Sequence, residues 1–135
     1  MKVLVDTPIW SLALRRRSRP ENEPMKSELA SLVSDGRVAI IGPIRQELLS
    51  GIRERAQFDQ LREHLRAFTD TELTLDDYEE AASFFNRCRA KGIQGSNTDF
   101  LICAIAARAG FPIFTTDADF SHFAKVLPIA LYAAG

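Results

Sequence analysis

Asp99 heads a run, Phe100 to Ala107, that is apolar nearly all round, the pattern of a helix buried on most of its faces. A carboxylate at the start of such a helix needs a partner. Beyond it, Gly110 stops the helix, Phe111 and Pro112 turn the chain, and Ile113 to Thr116 read as a short buried strand running into Asp117 and Asp119. The arrangement recurs twice. Lys2 to Val5 is a short apolar strand ending at Asp6, and Val38 to Ile41 is another, followed by a helix that carries Glu47. Ligands of open α/β sheets lie in the crevice outside the carboxyl ends of the strands, so Asp6, Glu47, Asp99 and Asp117 are all aimed at one place.

Carboxylates gathered without a counter-charge disfavour one another's ionisation, and something positive must sit among them. An oxygen-only donor set, with no His or Cys at matching positions, selects Mg²⁺ or Mn²⁺ over zinc. Two such ions about 3.5 to 4 Å apart activate water and stabilise the leaving oxygen of a phosphodiester. Thr7, Asn97 and Thr115 are polar neighbours able to orient the carboxylates from behind. Each acid also has a purely local reading. Ser96 and Asp99 form an imperfect capping box, Asp117 caps a short helix at 118–123, and Asp6 helps to start a helix at Thr7 and Pro8. The three polar neighbours are equally readable as caps or turns.

The elements that must hold these residues alternate between strand and helix. After the first strand, Thr7 caps and Pro8 begins a helix bearing Ile9, Trp10, Leu12 and Leu14; Met25, Leu29, Leu32 and Val33 mark a second helix, closed by Asp35 and Gly36. Gly42 and Pro43 start a third, and Phe58, Leu61, Leu65 and Phe68 continue in a fourth, separated near Gly51 to Arg55. Leu73 to Leu75 reads as a strand or a loop. Asp76, Asp77, Glu79 and Glu80 then open a helix to about Ala90, where acids favour the first turn for the helix dipole; Ile129 to Leu131 is a last strand candidate. The pattern predicts one domain over residues 1–135, a three-layer α/β/α fold with a mostly parallel sheet of four to five short strands.

Charge is uneven along the 135 residues. Residues 1–66 hold twelve Lys or Arg against nine Asp or Glu, and residues 67–135 hold five against nine, for a net charge of −1. With four acids neutralised by cations, the remainder is slightly basic and suits a polyanion. Arg15, Arg16, Arg17 and Arg19 read either as solvated helix-end cations or as phosphate contacts beside the acids. Cys88 and Cys103 lie in different predicted helices without CxxC spacing, which indicates neither disulfide nor zinc knuckle. No apolar run approaches the ~18 residues of a membrane span, and no leader is evident, so a cytoplasmic protein is the expectation.

The motifs VDTPIW at 5–10, QEL at 46–48, NTDFLICAIA at 97–106 and TTDADF at 115–120 resemble, in order and across the whole chain, the PIN-domain ribonucleases, particularly VapC toxins of type II toxin–antitoxin modules. The resemblance implies an acidic quartet of Asp6, Glu47, Asp99 and Asp117, with Asp119 as an accessory metal-site acid and Thr7 and Thr115 in support. It further implies a Mg²⁺- or Mn²⁺-dependent endoribonuclease acting on tRNA or rRNA, a VapB-type antitoxin as inhibitor, and a homodimer. Trp10 and Leu14 are candidate antitoxin contacts. A dehalogenase-type phosphatase needs a second acid two residues after Asp6, where Pro8 stands, and a receiver domain lacks its late Lys. A DNA-directed nuclease, or a non-catalytic RNA- or protein-binding module whose acids merely cap helices, stays open at this level.

Overall fold

The computed structural model describes residues 1–14 and 19–133. Its sheet is built from β1 (Val3–Val5), β2 (Val38–Ala39) and β3 (Ile113–Phe114), all parallel, in the order β2-β1-β3. Leu4 pairs with Ala39 on one side and with Ile113 on the other. All three residues of β1 are fully buried, which is why that segment is apolar without alternation.

Seven helices among the described residues surround the sheet: α1 (Thr7–Leu14), α2 (Glu23–Ser34), α3 (Gly42–Leu49), α4 (Arg55–Leu65), α5 (Leu75–Ala90), α6 (Asn97–Ala109) and α7 (Asp119–Phe123). The chain leaves β1 for a neighbour on one side and later returns to the other side. Because parallel crossovers are right-handed, these two excursions place helices on opposite faces of the sheet. The carboxyl ends of β1 and β3 therefore meet at a switch point, where the crevice opens.

The strands are fewer than the four to five expected. The outer positions shrink to single bridges, Ile40 with Asp70 and Ile113 with Leu131. Leu73 to Leu75 forms no strand because Thr74 caps α5: its hydroxyl accepts from the Asp77 amide, and the Asp77 carboxylate accepts from the Thr74 amide at 2.9 Å. That reciprocal pair commits the segment to a helix start. Near the other edge, Pro128 has no amide to offer, and the segment is hydrogen-bonded to β3 through Ile113 to Ala130 at 3.0 Å and Tyr132 to Ile113 at 2.8 Å.

Trp10 packs into the core. It is buried, its indole N–H donates to the Val5 carbonyl at 3.1 Å, and its ring meets Phe68 edge-on at 5.1 Å. Leu14, at the end of the same helix, stays 38% exposed. Arg45 of α3 locks the α4 end, donating to the carbonyls of Leu65 and Phe68 and to the Asp70 carboxylate. α5 and α6 pack side by side, and their join is closed by Arg108, whose guanidinium holds the buried Asp77 through bonds of 2.7 and 2.9 Å.

Candidate active site

Asp6 leaves the end of β1 and opens α1 with its backbone, its carbonyl accepting from the amides of Ile9 and Trp10. Thr7 is thus the first helical residue and not the cap. The Asp6 side chain is 5% exposed and takes two donors, the Thr7 amide on Oδ1 and the Thr115 hydroxyl on Oδ2, each at 2.8 Å. Thr115 also accepts from the Asp117 amide at 3.0 Å, which fixes the turn after β3. Asp117 in turn accepts from the amide of Asp119, the first residue of α7, at 2.9 Å. One hydroxyl therefore ties together the two strand ends.

Thr7 makes the second tie. Its hydroxyl donates to Glu47 on α3 at 2.9 Å, while its amide holds Asp6. Asp99 sits in the first turn of α6, where Ser96 completes a full reciprocal box: the Ser96 amide donates to Asp99 Oδ2 at 3.0 Å and the Asp99 amide to Ser96 Oγ at 3.1 Å. The box is complete despite the shorter carboxylate. At the other end Gly110, with φ at 72°, supplies the left-handed cap that an L side chain resists.

Burial pushes the Asp6 carboxyl up to about 6, against the two hydrogen bonds that favour its charged form, and the charges of Asp99 and Glu47 push it further. Asp99 is raised too, by burial first and then by Asp117 and Glu47, with the Ser96 bonds opposing. The charges of Glu47 in the last turn of α3, Asp99 at the start of α6 and Asp117 after β3 thus converge on Asp6 and Asp99. Capping and clustering are not alternatives here. Asp6, Asp99 and Asp117 each serve a local backbone amide and belong to the cluster as well.

The two capping boxes make an internal comparison. In α5 the box acid, Asp77, has Arg108 against it, and the guanidinium holds its carboxyl below the usual carboxylate range. In α6 the charges on the box acid, among the described residues, are those of the carboxylates Asp117 and Glu47. Asp77 reads in the sequence as one of four acids suited to the helix dipole; the Thr-x-x-Asp spacing at 74–77 is the signal for the box, and nothing local points to Arg108, 31 residues away. Cys103 lies on α6 beneath the cluster, buried, with its thiol pushed up by burial and by Asp99 and Asp6, so it packs as an apolar group.

Of the remaining expected residues, Asp119 is exposed at the start of α7. Asn97 is exposed and lines a groove of about 500 Å³ between α5 and α6 with Tyr78, Phe85 and Phe100; no hydrogen bond among the described residues joins it to an acid. Arg19 is exposed and lies 4.0 Å from Glu21. Arg15, Arg16 and Arg17 lie outside the described residues. Among the described residues no group of three or more Asp, Glu, His or Cys is placed so as to hold a metal ion. The chemistry of the donor set, as distinct from its spacing, fits a hard divalent cation: the donors are all oxygens, the most buried one is unfavourably charged, and the described charges that shift it are negative.

A profile of the PIN domain matches residues 3–126. The chain belongs to the PIN domain family. No curated protein sequence matches it. Among solved structures it is similar to FitAcB from Neisseria gonorrhoeae, at 19% identity and a TM-score of 0.78 over 98% of this chain and 97% of that one. It is similar also to VapBC2 from Rickettsia felis bound to a promoter DNA fragment, at 18% identity and 0.77 over 98% of both chains. A toxin–antitoxin complex from Klebsiella pneumoniae matches at 18% identity and 0.66, over 96% of this chain and all of that one. These likenesses show a shared PIN fold. No helix among the described residues is long and apolar enough to cross a membrane.

Proposed function

We propose that this PIN domain is a metal-dependent endoribonuclease, a VapC-type toxin that cleaves tRNA or rRNA and is restrained by a VapB-type antitoxin. The observation that carries the reading is the gathering of Asp6, Glu47, Asp99 and Asp117 around the switch point, where, among the described residues, the charges that shift Asp6 and Asp99 are those of other carboxylates. A divalent metal, Mg²⁺ or Mn²⁺, would activate water and neutralise developing charge on the phosphate when bound. Asp6, Asp99, Glu47 and Asp117 would hold it, with Asp119 at the rim. Thr7 and Thr115 aim the acids by donating hydrogen bonds to Glu47 and Asp6.

The antitoxin part of the reading is supported by the fold likeness to toxin–antitoxin complexes. It is supported also by apolar surface: the partly exposed Leu14 and Val33 flank a groove of about 410 Å³ between α1, α2 and α4. A homodimer and a cytoplasmic location belong to the same reading. The test is cleavage of total tRNA and rRNA by the antitoxin-free chain with Mn²⁺, against EDTA and against Asp99→Asn. Discrete cuts that vanish in both controls are the expected result. Cutting by Asp99→Asn as efficient as the parent's rejects the site. Absence of cutting together with absence of Mn²⁺ binding leaves a non-catalytic module, and cutting confined to DNA leaves a DNA-directed nuclease.

A further inference from the structure

The acid that heads α6 is aimed by the two residues that precede its helix. Ser96 gives and takes a hydrogen bond with Asp99, so carboxylate oxygen Oδ2 is held within the box and Oδ1 lies outside it. Gly95 lets this cap sit where it does. A Cβ at Gly95 would lie 2.6 Å from Phe123 Cζ and 3.0 Å from Phe100 Cε2, distances at which the rings or the cap must move. Those two rings are packed centroid to centroid at 5.0 Å, and both residues are buried, so yielding space there is costly. The cap is therefore pressed onto a rigid aromatic floor that joins α6 to α7.

We propose that Gly95 and Ser96 form a positioning element that fixes the Asp99 carboxylate for its work in the cluster. The inference rests on the metal reading of that cluster, and neither residue is assigned a role by it. Ser96 acts through Asp99 and does not itself reach a ligand. Long-chain charged residues in clusters search many rotamers, whereas Asp99 has a short side chain with one oxygen already bonded, which leaves its free oxygen a single direction. Glu47, exposed on α3 and held by one hydroxyl, has no comparable restraint.

The experiment compares Ser96→Ala, Ser96→Thr and Gly95→Ala with Thr74→Ala, each in the full chain. Thr74→Ala removes the matching cap of α5, far along the fold from the acids, and reports what loss of a helix cap does on its own. Calorimetric Mn²⁺ titration is expected to show affinity lowered about 10- to 100-fold in Ser96→Ala, the range typical of lost support behind a metal ligand. Affinity should return in Ser96→Thr, fall in Gly95→Ala, and stay at the parent's value in Thr74→Ala. Equal loss in Ser96→Ala and Thr74→Ala would overturn the proposal, since both would then be reporting general stability. So would unchanged affinity in Ser96→Ala.

Should the parent bind no Mn²⁺, the metal reading falls and the positioning element is judged in the metal-free protein. Three-bond couplings of Asp99 then report its χ1. One rotamer in the parent and in Ser96→Thr, averaged in Ser96→Ala, supports the element; one rotamer kept in Ser96→Ala rejects it.

Discussion

Replacing Asp6 by Asn should make the metal-free protein more stable at neutral pH. The folded protein raises this carboxyl from 3.8 to about 6. Above pH 6 the group is ionised in both folded and unfolded chains, and the folded state carries the full penalty of a buried, like-charge-flanked carboxylate. At 1.36 kcal/mol for each pH unit, that penalty is about 3 kcal/mol. Below pH 3.8 the group is protonated in both states and the penalty is gone. Stability contributed by this site therefore falls as pH rises between those values. Asn is a neutral isostere that removes the penalty but gives the Thr115 hydroxyl no carboxylate to donate to, a loss of about 1 kcal/mol.

The net gain expected at pH 7.5 is about 2 kcal/mol, a rise in Tm of roughly 6–10 °C for a domain of this size. At pH 4 the linkage leaves only about 0.5 kcal/mol of the penalty, so the advantage should vanish or reverse. Thermal unfolding of parent and Asp6→Asn in EDTA at both pH values, followed by circular dichroism, reads the difference directly. Effects common to both proteins cancel. Adding Mn²⁺ at pH 7.5 should reverse the order, because a ligand at about 100 times its Kd stabilises only the protein that binds it, by about 2.7 kcal/mol. An Asn variant less stable than the parent at pH 7.5 without metal would refute the reasoning. An advantage of equal size at pH 4 would refute it as well.

Three other substitutions probe the supports of the site. Thr115→Val deletes the donor to Asp6 and the acceptor for the Asp117 amide, so Mn²⁺ affinity measured by calorimetry at pH 7 should drop about 10- to 100-fold, with less loss as pH is raised. Arg108→Leu leaves Asp77 buried and unpaired and should cost about 3 kcal/mol in urea unfolding, whereas adding Asp77→Asn should recover part of that. Arg45→Met removes four hydrogen bonds that tie α3 to the end of α4 and to Asp70; unfolding midpoints should fall by an amount corresponding to about 2 to 4 kcal/mol, while Mn²⁺ affinity changes little.

The buried elements were the most legible in the sequence. Val3 to Val5, the run after Asp99 and the break at Gly110 announce themselves through unbroken apolar composition and a glycine stop, because burial on all sides leaves no room for polar residues. The acids were legible for a related reason, since a carboxylate at the end of a buried strand needs an explanation. The outer edges of the sheet were not. Leu73 to Leu75 carries strand-like residues, yet the local cap at Thr74 outcompetes pairing, and 129–131 holds the sheet by one bridge. Long-range pairs were hidden altogether: Arg108 with Asp77, Arg45 with Asp70 and Thr7 with Glu47 depend on distances in space that spacing along the chain does not encode. Trp10 showed the limit of type alone, because an aromatic on a short amphipathic helix reads the same whether it faces core or partner.

The Thr115 hydroxyl reaches Asp6 across 109 residues. A ribosome adding about 5–20 residues per second separates the synthesis of those two positions by roughly 5 to 20 s. During that interval β1 has only β2 to pair with, and the crevice between β1 and β3 does not exist. Asp6 emerges early but remains a carboxylate in an unfinished chain, free to stay ionised in water. The cluster cannot be complete until β3 is present to supply Asp117 and the Thr115 hydroxyl that ties it to Asp6. A nascent chain interrupted anywhere before Thr115 carries up to three of the four acids without the means to bring them to the fourth.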